Sequence, residues 1–203
     1  MSEQYDYDST PAERSADTPQ KRGCLPLRFL SEFIQTALLA LVLYFAVNLV
    51  TERIRVEGIS MEPTLHDGQF VVVNRLAYRW QDPKRGDVVV FYYPLDPTRR
   101  FIKRVIGLPG DIVVVKYSQV SVNNVLVDEP YITDPPIYDG EWRLGPSEVF
   151  VLGDNRNWSS DSHKWGPLPM VEIIGKAVLV YWPPDTIGLI PHYDLVVAAG
   201  EFE

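Results

Sequence analysis

From Phe33 to Val50 the chain runs FIQTALLALVLYFAVNLV without a single charge. At 1.5 Å rise per residue a helix of this length measures roughly 27 Å, close to the hydrocarbon thickness of a bilayer. A buried core helix would carry an amphipathic stripe, which this run lacks, and would need a helical layer that the β-rich remainder does not offer. A cleavable leader would be followed by a small-x-small site, yet the next residues are the charged ERIR stretch. The expected element is a retained transmembrane helix within residues 25–52. Arg14, Lys21, Arg22 and Arg28 precede it, whereas Arg53 and Arg55 follow among Glu52, Glu57, Glu62 and Asp67. The excess of basic residues places the N-terminus in the cytoplasm and everything after Val50 outside it.

The remaining sequence bounds the chemistry. Residues 1–24 are rich in Ser, Thr, Pro, Asp, Glu and Gln and poor in aliphatics, a composition that cannot offset ordering entropy, so a disordered arm is expected there. A net charge of −8 argues against a nucleic-acid partner. Cys24 is the sole cysteine, which excludes an intrachain disulfide and a cysteine zinc site. His66, His163 and His192 lack metal-ligand spacing. Neither a metal nor a cofactor is implied.

After the helix, short β-branched runs bounded by Gly, Pro and Asp recur: IRVEG, QFVVVNR, DVVVFYY, RFIKRVIG, DIVVVKY, EVFVLGD and EIIGKAVLVYW. They predict a mainly β domain of antiparallel sheets. Asn123 and Asn124, between VSV and VLV, suit a tight hairpin because Asn tolerates positive φ. That hairpin falls in a Pro- and Tyr-rich stretch, residues 108–146, read as a small inserted β lobe. Residues 53–107 and 147–183 would form the main core, and the tail, residues 184–203, is assigned nothing.

Three segments carry reactive side chains. In GISMEPTL, Gly58 and Pro63 enforce a bend that can present the Ser60 hydroxyl. In RFIKRVIGLPGD, strand alternation puts Phe101, Lys103 and Val105 on one face and Ile102, Arg104 and Ile106 on the other. An amine flanked by apolar neighbours loses solvation, and lowering its pKa by about two units corresponds to roughly 3 kcal/mol against the charged form. The third segment, GDNRNWSSDSHKWG, is dense in hydrogen-bonding side chains. Taken singly, each also fits a turn, a solvated lysine or a polar loop.

Together, in this order behind one membrane helix, SMEPTL, FIKRVIGLPGD and GDNRNWSSDS closely resemble the motifs of type I signal peptidases, and the resemblance runs from the helix to about Trp182. It implies a catalytic domain of signal-peptidase/LexA type and a membrane-bound serine endopeptidase that cleaves signal peptides from exported preproteins after small-x-small (Ala-x-Ala) sites. By match to those motifs, Ser60 is the nucleophile and Lys103 the general base. Ser159 matches the hydroxyl that orients the lysine, and Asp154, Arg156 and Asp161 match residues that brace the site. A Ser and Lys pair can replace a Ser, His and Asp triad if the amine stays neutral and hydrogen-bonded to the hydroxyl.

Two positions depart from the family pattern. Gly58 stands where longer members carry a Ser that assists the oxyanion, leaving the second oxyanion donor open. His163 stands where many members carry an Arg, so that a pair with Asp161 becomes weaker or pH-sensitive. Substrate binding by strand addition is expected, with Gly58, Ile59, Met61 and Ile102 as candidate pocket walls. The aromatics, including Trp80, Trp142, Trp158, Trp165 and Trp182, suit either core packing or contact with lipid headgroups. The implied location is the plasma membrane or another internal membrane of bacterial type, such as the thylakoid.

Overall fold

The structure is a computed structural model that describes residues 25–193 and 195. The expected arm over residues 1–24 lies outside these residues, as does most of the end of the tail. Two compact units, Met1–Leu43 and Tyr44–Glu203, divide the chain.

Helix α1 spans Leu25–Val50 and so begins eight positions before the charge-free run. Pro26 is tolerated in the first turn, where its missing N–H has no intrahelical partner to lose, and Leu, Arg and Glu are good helix formers. Every described side chain from Phe29 to Leu49 is exposed. The segment Phe29–Val50 is long and apolar enough to cross a membrane.

The second unit is built of antiparallel strands: β1 (Thr51–Arg55), β2 (Phe70–Asn74), β3 (Val88–Tyr93), β4 (Asp96–Gly107), β5 (Ile112–Lys116), β6 (Gln119–Val122), β7 (Val125–Leu126), β8 (Gly140–Arg143), β9 (Glu148–Leu152), β10 (Leu168–Pro169), β11 (Ile173–Trp182) and β12 (Gly188–Leu189). The large sheet runs β1-β2-β11-β3-β4-β9-β10, with β12 beside β11, and the small sheet runs β7-β6-β5-β8. Strand β1 starts three residues earlier than the IRVEG run suggests, directly after the helix, and the N–H of Arg75 caps the helix end at the Val50 carbonyl (3.0 Å). Between β6 and β7, Asn123 and Asn124 do take positive φ (52° and 67°). The matching turn between β5 and β6 uses Tyr117 and Ser118 (φ 52° and 62°), a pair with no turn signature to read in advance.

The sheet curls. Although β2, β11 and β3 separate β1 from β4 in the strand order, Glu52 on β1 forms an ion pair with Arg100 on β4. Inside the curl lies a core that includes Val56, Met61, Leu65, Val71, Val90, Ile102 and Ala177. A second cluster joins Val113, Val115, Val120 and Val122 of the small sheet to Ile106, Phe150 and Leu152 of the large one, so the two sheets share apolar packing. Leu195 belongs to this cluster and Ile190 to the first, so the chain after Pro183, to which sequence patterning assigned nothing, closes part of the core.

Candidate active site

Ser60 sits in the turn after Val56, and Lys103 sits in β4, paired in register with Val89 of β3. Forty-three positions apart in sequence, they meet: Lys103 Nζ donates to Ser60 Oγ at 2.7 Å. The amine also donates to the carbonyl of Ile102 (2.8 Å) and is only 3% exposed. Burial is the main influence on it. It pushes the pKa down from 10.5 to about 8, although the negative charges of Asp161 and Asp154 pull in the opposite direction.

The next residue in β4 has the opposite fate. Arg104 is fully buried, and its guanidinium is held by Asp154 in a two-pronged pair, Nε to Oδ1 at 2.9 Å and Nη2 to Oδ2 at 2.7 Å. Asp154 also accepts from Thr64 (2.6 Å), four residues past Ser60. The remaining Arg104 N–H groups reach the carbonyls of Gly86 (2.9 Å) and Pro191 (3.0 Å), and Tyr131 and Tyr193 flank its plane. Sequence reasoning placed Arg104 on a strand face without giving it a role. Its position between Ile102 and Ile106 was the available signal, because a cation on an apolar strand face needs a carboxylate partner.

The loop after β9 wraps this pair. The N–H of Asn155 donates to the Ser60 carbonyl (3.1 Å), and its side-chain amide donates to the Ile59 carbonyl (3.2 Å). Arg156 is buried, bound to both carboxylate oxygens of Glu129 (2.6 and 2.5 Å) and to the Gly153 carbonyl (3.1 Å). Asn155, Glu129, Thr64 and Arg104 are contributors that motif reading did not find, since each acts through a partner distant in sequence.

Asp161 caps the short helix α2 (Ser162–Trp165) and accepts from the N–H of Gly153 (2.9 Å). Its other oxygen faces the ring Nδ1 of His163 at 2.6 Å, and that ring stacks on Tyr138 at 3.9 Å. Burial alone would raise the Asp161 pKa, but the hydrogen bonds from His163 and Gly153 more than offset it, and the carboxyl is held below the ordinary aspartate range. His163 thus occupies the partner position expected for it. Ser159 is buried beside this carboxylate, close enough to help keep it ionised, but its hydroxyl makes no hydrogen bond of normal geometry among the described residues. The second partner of the Lys103 amine is a backbone carbonyl rather than Ser159.

A groove of about 630 Å³ opens onto Ser60 and Lys103, lined by Arg53–Arg55 on one side and Thr98–Lys103 on the other. Both strands have free edges there. Among the described residues strand β1 pairs only with β2, and β9 covers β4 only from Arg104 onward. Of the expected pocket walls, Ile102 lines the groove, and Gly58 and Ile59 are exposed beside Ser60. Met61 instead points into the core and is fully buried, because the turn at Ser60 directs the following side chain inward. Gly58 adopts φ +85° and donates to Asp67 (2.7 Å), a backbone conformation that disfavours any side chain in its place.

The family described as "Signal peptidase, peptidase S26" matches residues 30–182. The chain belongs to this family of serine hydrolases. It is 38% identical over 182 residues to a probable signal peptidase I-2 of Synechocystis, covering 86% of this chain and 83% of that one. It is also 38% identical over 188 residues to a signal peptidase I of Leptolyngbya laminosa, covering 88% and 90%. A chloroplast thylakoidal processing peptidase 1 of Arabidopsis thaliana is 36% identical over 152 residues, covering 70% of this chain and 45% of that one.

Proposed function

We propose that the chain is a single-pass membrane endopeptidase that removes N-terminal signal peptides from exported preproteins, with Ser60 as nucleophile and Lys103 as general base. The observation that carries this reading is the 2.7 Å contact between a buried amine and a half-buried hydroxyl at the end of an open groove. When the amine is neutral its lone pair can accept the hydroxyl proton across the same distance. Ser60 Oγ then attacks the scissile carbonyl, and Lys103 passes the proton to the departing amine of the mature protein. The neutral lysine next takes a proton from water, which hydrolyses the ester. The N–H of Ser60, which makes no backbone hydrogen bond among the described residues, is the first donor to the oxyanion.

Arg104 and Asp154 neutralise each other beside the dyad, Arg156 and Asp161 hold the loop that carries Ser159, and Asn155 tethers the Ser60 carbonyl. Substrate enters as an added strand between the free edges of β1 and β4, with small residues before the cleaved bond admitted next to Ile102 and Ile59. The helix Phe29–Val50 spans the membrane with the β unit on the far side from the cytoplasm, as the basic residues before it indicate. Exposed Trp80, Trp158 and Trp182 suit lipid headgroups, whereas Trp142 and Trp165 pack inside. The Synechocystis and thylakoidal relatives favour a thylakoid or plasma membrane.

The test is cleavage of a preprotein with an Ala-x-Ala site by the full chain in detergent. Ser60→Ala and Lys103→Ala should each abolish turnover while the β unit keeps its circular dichroism. Full activity in either variant rules out the dyad.

A further inference from the structure

We infer that the groove leading to Ser60 selects substrates carrying a carboxylate four or five residues before the cleaved bond, through Arg53 and Arg55; this rests on the peptidase reading above. The two arginines share a face of β1 and line the groove. Neither has an ion pair or side-chain hydrogen bond among the described residues, in contrast to the third and fourth arginines of the groove. Arg100 is engaged by Glu52, and Arg99 lies over the rings of Tyr93 and Phe101 at 5.9 and 5.2 Å. Glu57 is the one carboxylate in the lining among the described residues, so the groove keeps an excess of positive charge in a chain whose net charge is −8.

Chain connectivity says which part of a substrate lies there. Strand β1 follows the helix with no linker, so its Thr51 end is the membrane end and Ser60 lies farther along the chain. A preprotein whose apolar signal segment sits in the same membrane reaches Ser60 by running past β1, with the residues before the cleaved bond in the groove. On β4, Thr98 precedes Lys103 by five positions, which at about 3.3 Å per residue is the reach of roughly five residues of an added strand. Thr98 and Arg99 thus correspond to positions about five and four before the cut, upstream of the small-x-small residues, in the groove that Arg53 and Arg55 line from the other side. Coulomb attraction at partly exposed sites is modest per pair, but two unpaired guanidinium groups act on one carboxylate and repel a lysine in its place.

Three peptides with one small-x-small site, differing only by Glu, Gln or Lys at those upstream positions, separate the outcomes in a non-ionic detergent. The wild-type chain should show kcat/KM for the Glu peptide about fivefold above the Lys peptide, fading at roughly 1 M salt. In the Arg53→Gln/Arg55→Gln variant the ratio should fall toward one. A ratio taken within one preparation is indifferent to the fraction folded. Cleavage of the Gln peptide with no Glu-over-Lys preference, or a preference that survives in the variant, overturns the inference and leaves the peptidase reading standing. If the preference survives while binding to anionic phosphatidylglycerol vesicles is lost, the arginines serve the lipid surface and the inference is likewise overturned. A wild-type chain that cleaves none of the three overturns both.

Discussion

Lys103 and Arg104 are consecutive in β4, both nearly inaccessible, and they are treated in opposite ways: Arg104 is clamped onto a carboxylate, and among the described residues Lys103 has only neutral oxygens within hydrogen-bond distance. Alternation along the strand sends the two side chains to different surroundings. Asp154 is spent on Arg104 and Asp161 on His163, so neither stands directly against the amine. The lysine therefore pays the desolvation cost without a direct counter-ion, which is the condition for a usable base.

The rate should follow that amine. With a pKa of about 8, the neutral fraction falls about tenfold per pH unit below that value and saturates above it. The plot of kcat/KM against pH is expected to climb through about 8 and level off on the alkaline side. A profile level from acid to alkali contradicts a lysine base.

Stability should move the other way when the amine is removed. Below pH 8 the amine is protonated in both folded and unfolded chains, and the full cost of burying it opposes folding. Between about 8 and 10.5 only the unfolded chain holds the proton, so the cost is relieved as pH rises. The drop from 10.5 to about 8 corresponds to about 3 kcal/mol. Lys103→Met should lose activity yet be more stable than wild type by about 1–3 kcal/mol near pH 7 after the two lost hydrogen bonds are deducted. The gain should shrink toward pH 10.5 in urea unfolding of the chain in detergent.

Asp154→Ala leaves the Arg104 charge buried without its carboxylate, and an unpaired buried charge costs about 3–5 kcal/mol. Replacing both partners with apolar residues, Arg104→Met with Asp154→Leu, should cost less than the single change. Thermal unfolding of the two variants decides it, and equal losses would mean that the pair is not a closed unit.

Gly153→Ala tests the tether beneath Ser60. A Cβ built at Gly153 would lie 2.4 Å from the Ser60 carbonyl and 2.4 Å from Ser159 Oγ, both too close to stand. Displacing the Ser60 hydroxyl by a fraction of an ångström should lower kcat by tenfold to roughly a hundredfold, out of proportion to any change in unfolding midpoint. Unaltered kcat would show that the turn absorbs the methyl group without moving the hydroxyl.

Much of the architecture could be read from local pattern. The charge-free run, the β-branched segments between Gly and Pro, and the Asn123-Asn124 turn depend on neighbours a few positions apart, and the antiparallel, mainly β fold is what those signals predict. The Tyr117-Ser118 turn and the role of the chain after Pro183 were not legible. Their conformations are imposed by strand register and by a core assembled from distant segments, not by intrinsic preference. Tyr193, for example, fits only because Gly86 leaves no side chain where its carbonyl lies.

The order of residues by itself determined that a membrane-length helix precedes a β unit, and that a serine in a bend, a lysine on an apolar strand and a polar loop occur in the motif order of one peptidase family. Only the tertiary structure decided that Ser60 and Lys103 touch, and that of two adjacent cations the arginine is paired and the lysine left to burial. Desolvation and the placement of counter-charges are sums over groups from remote parts of the chain, and those sums exist only once the sheet has curled.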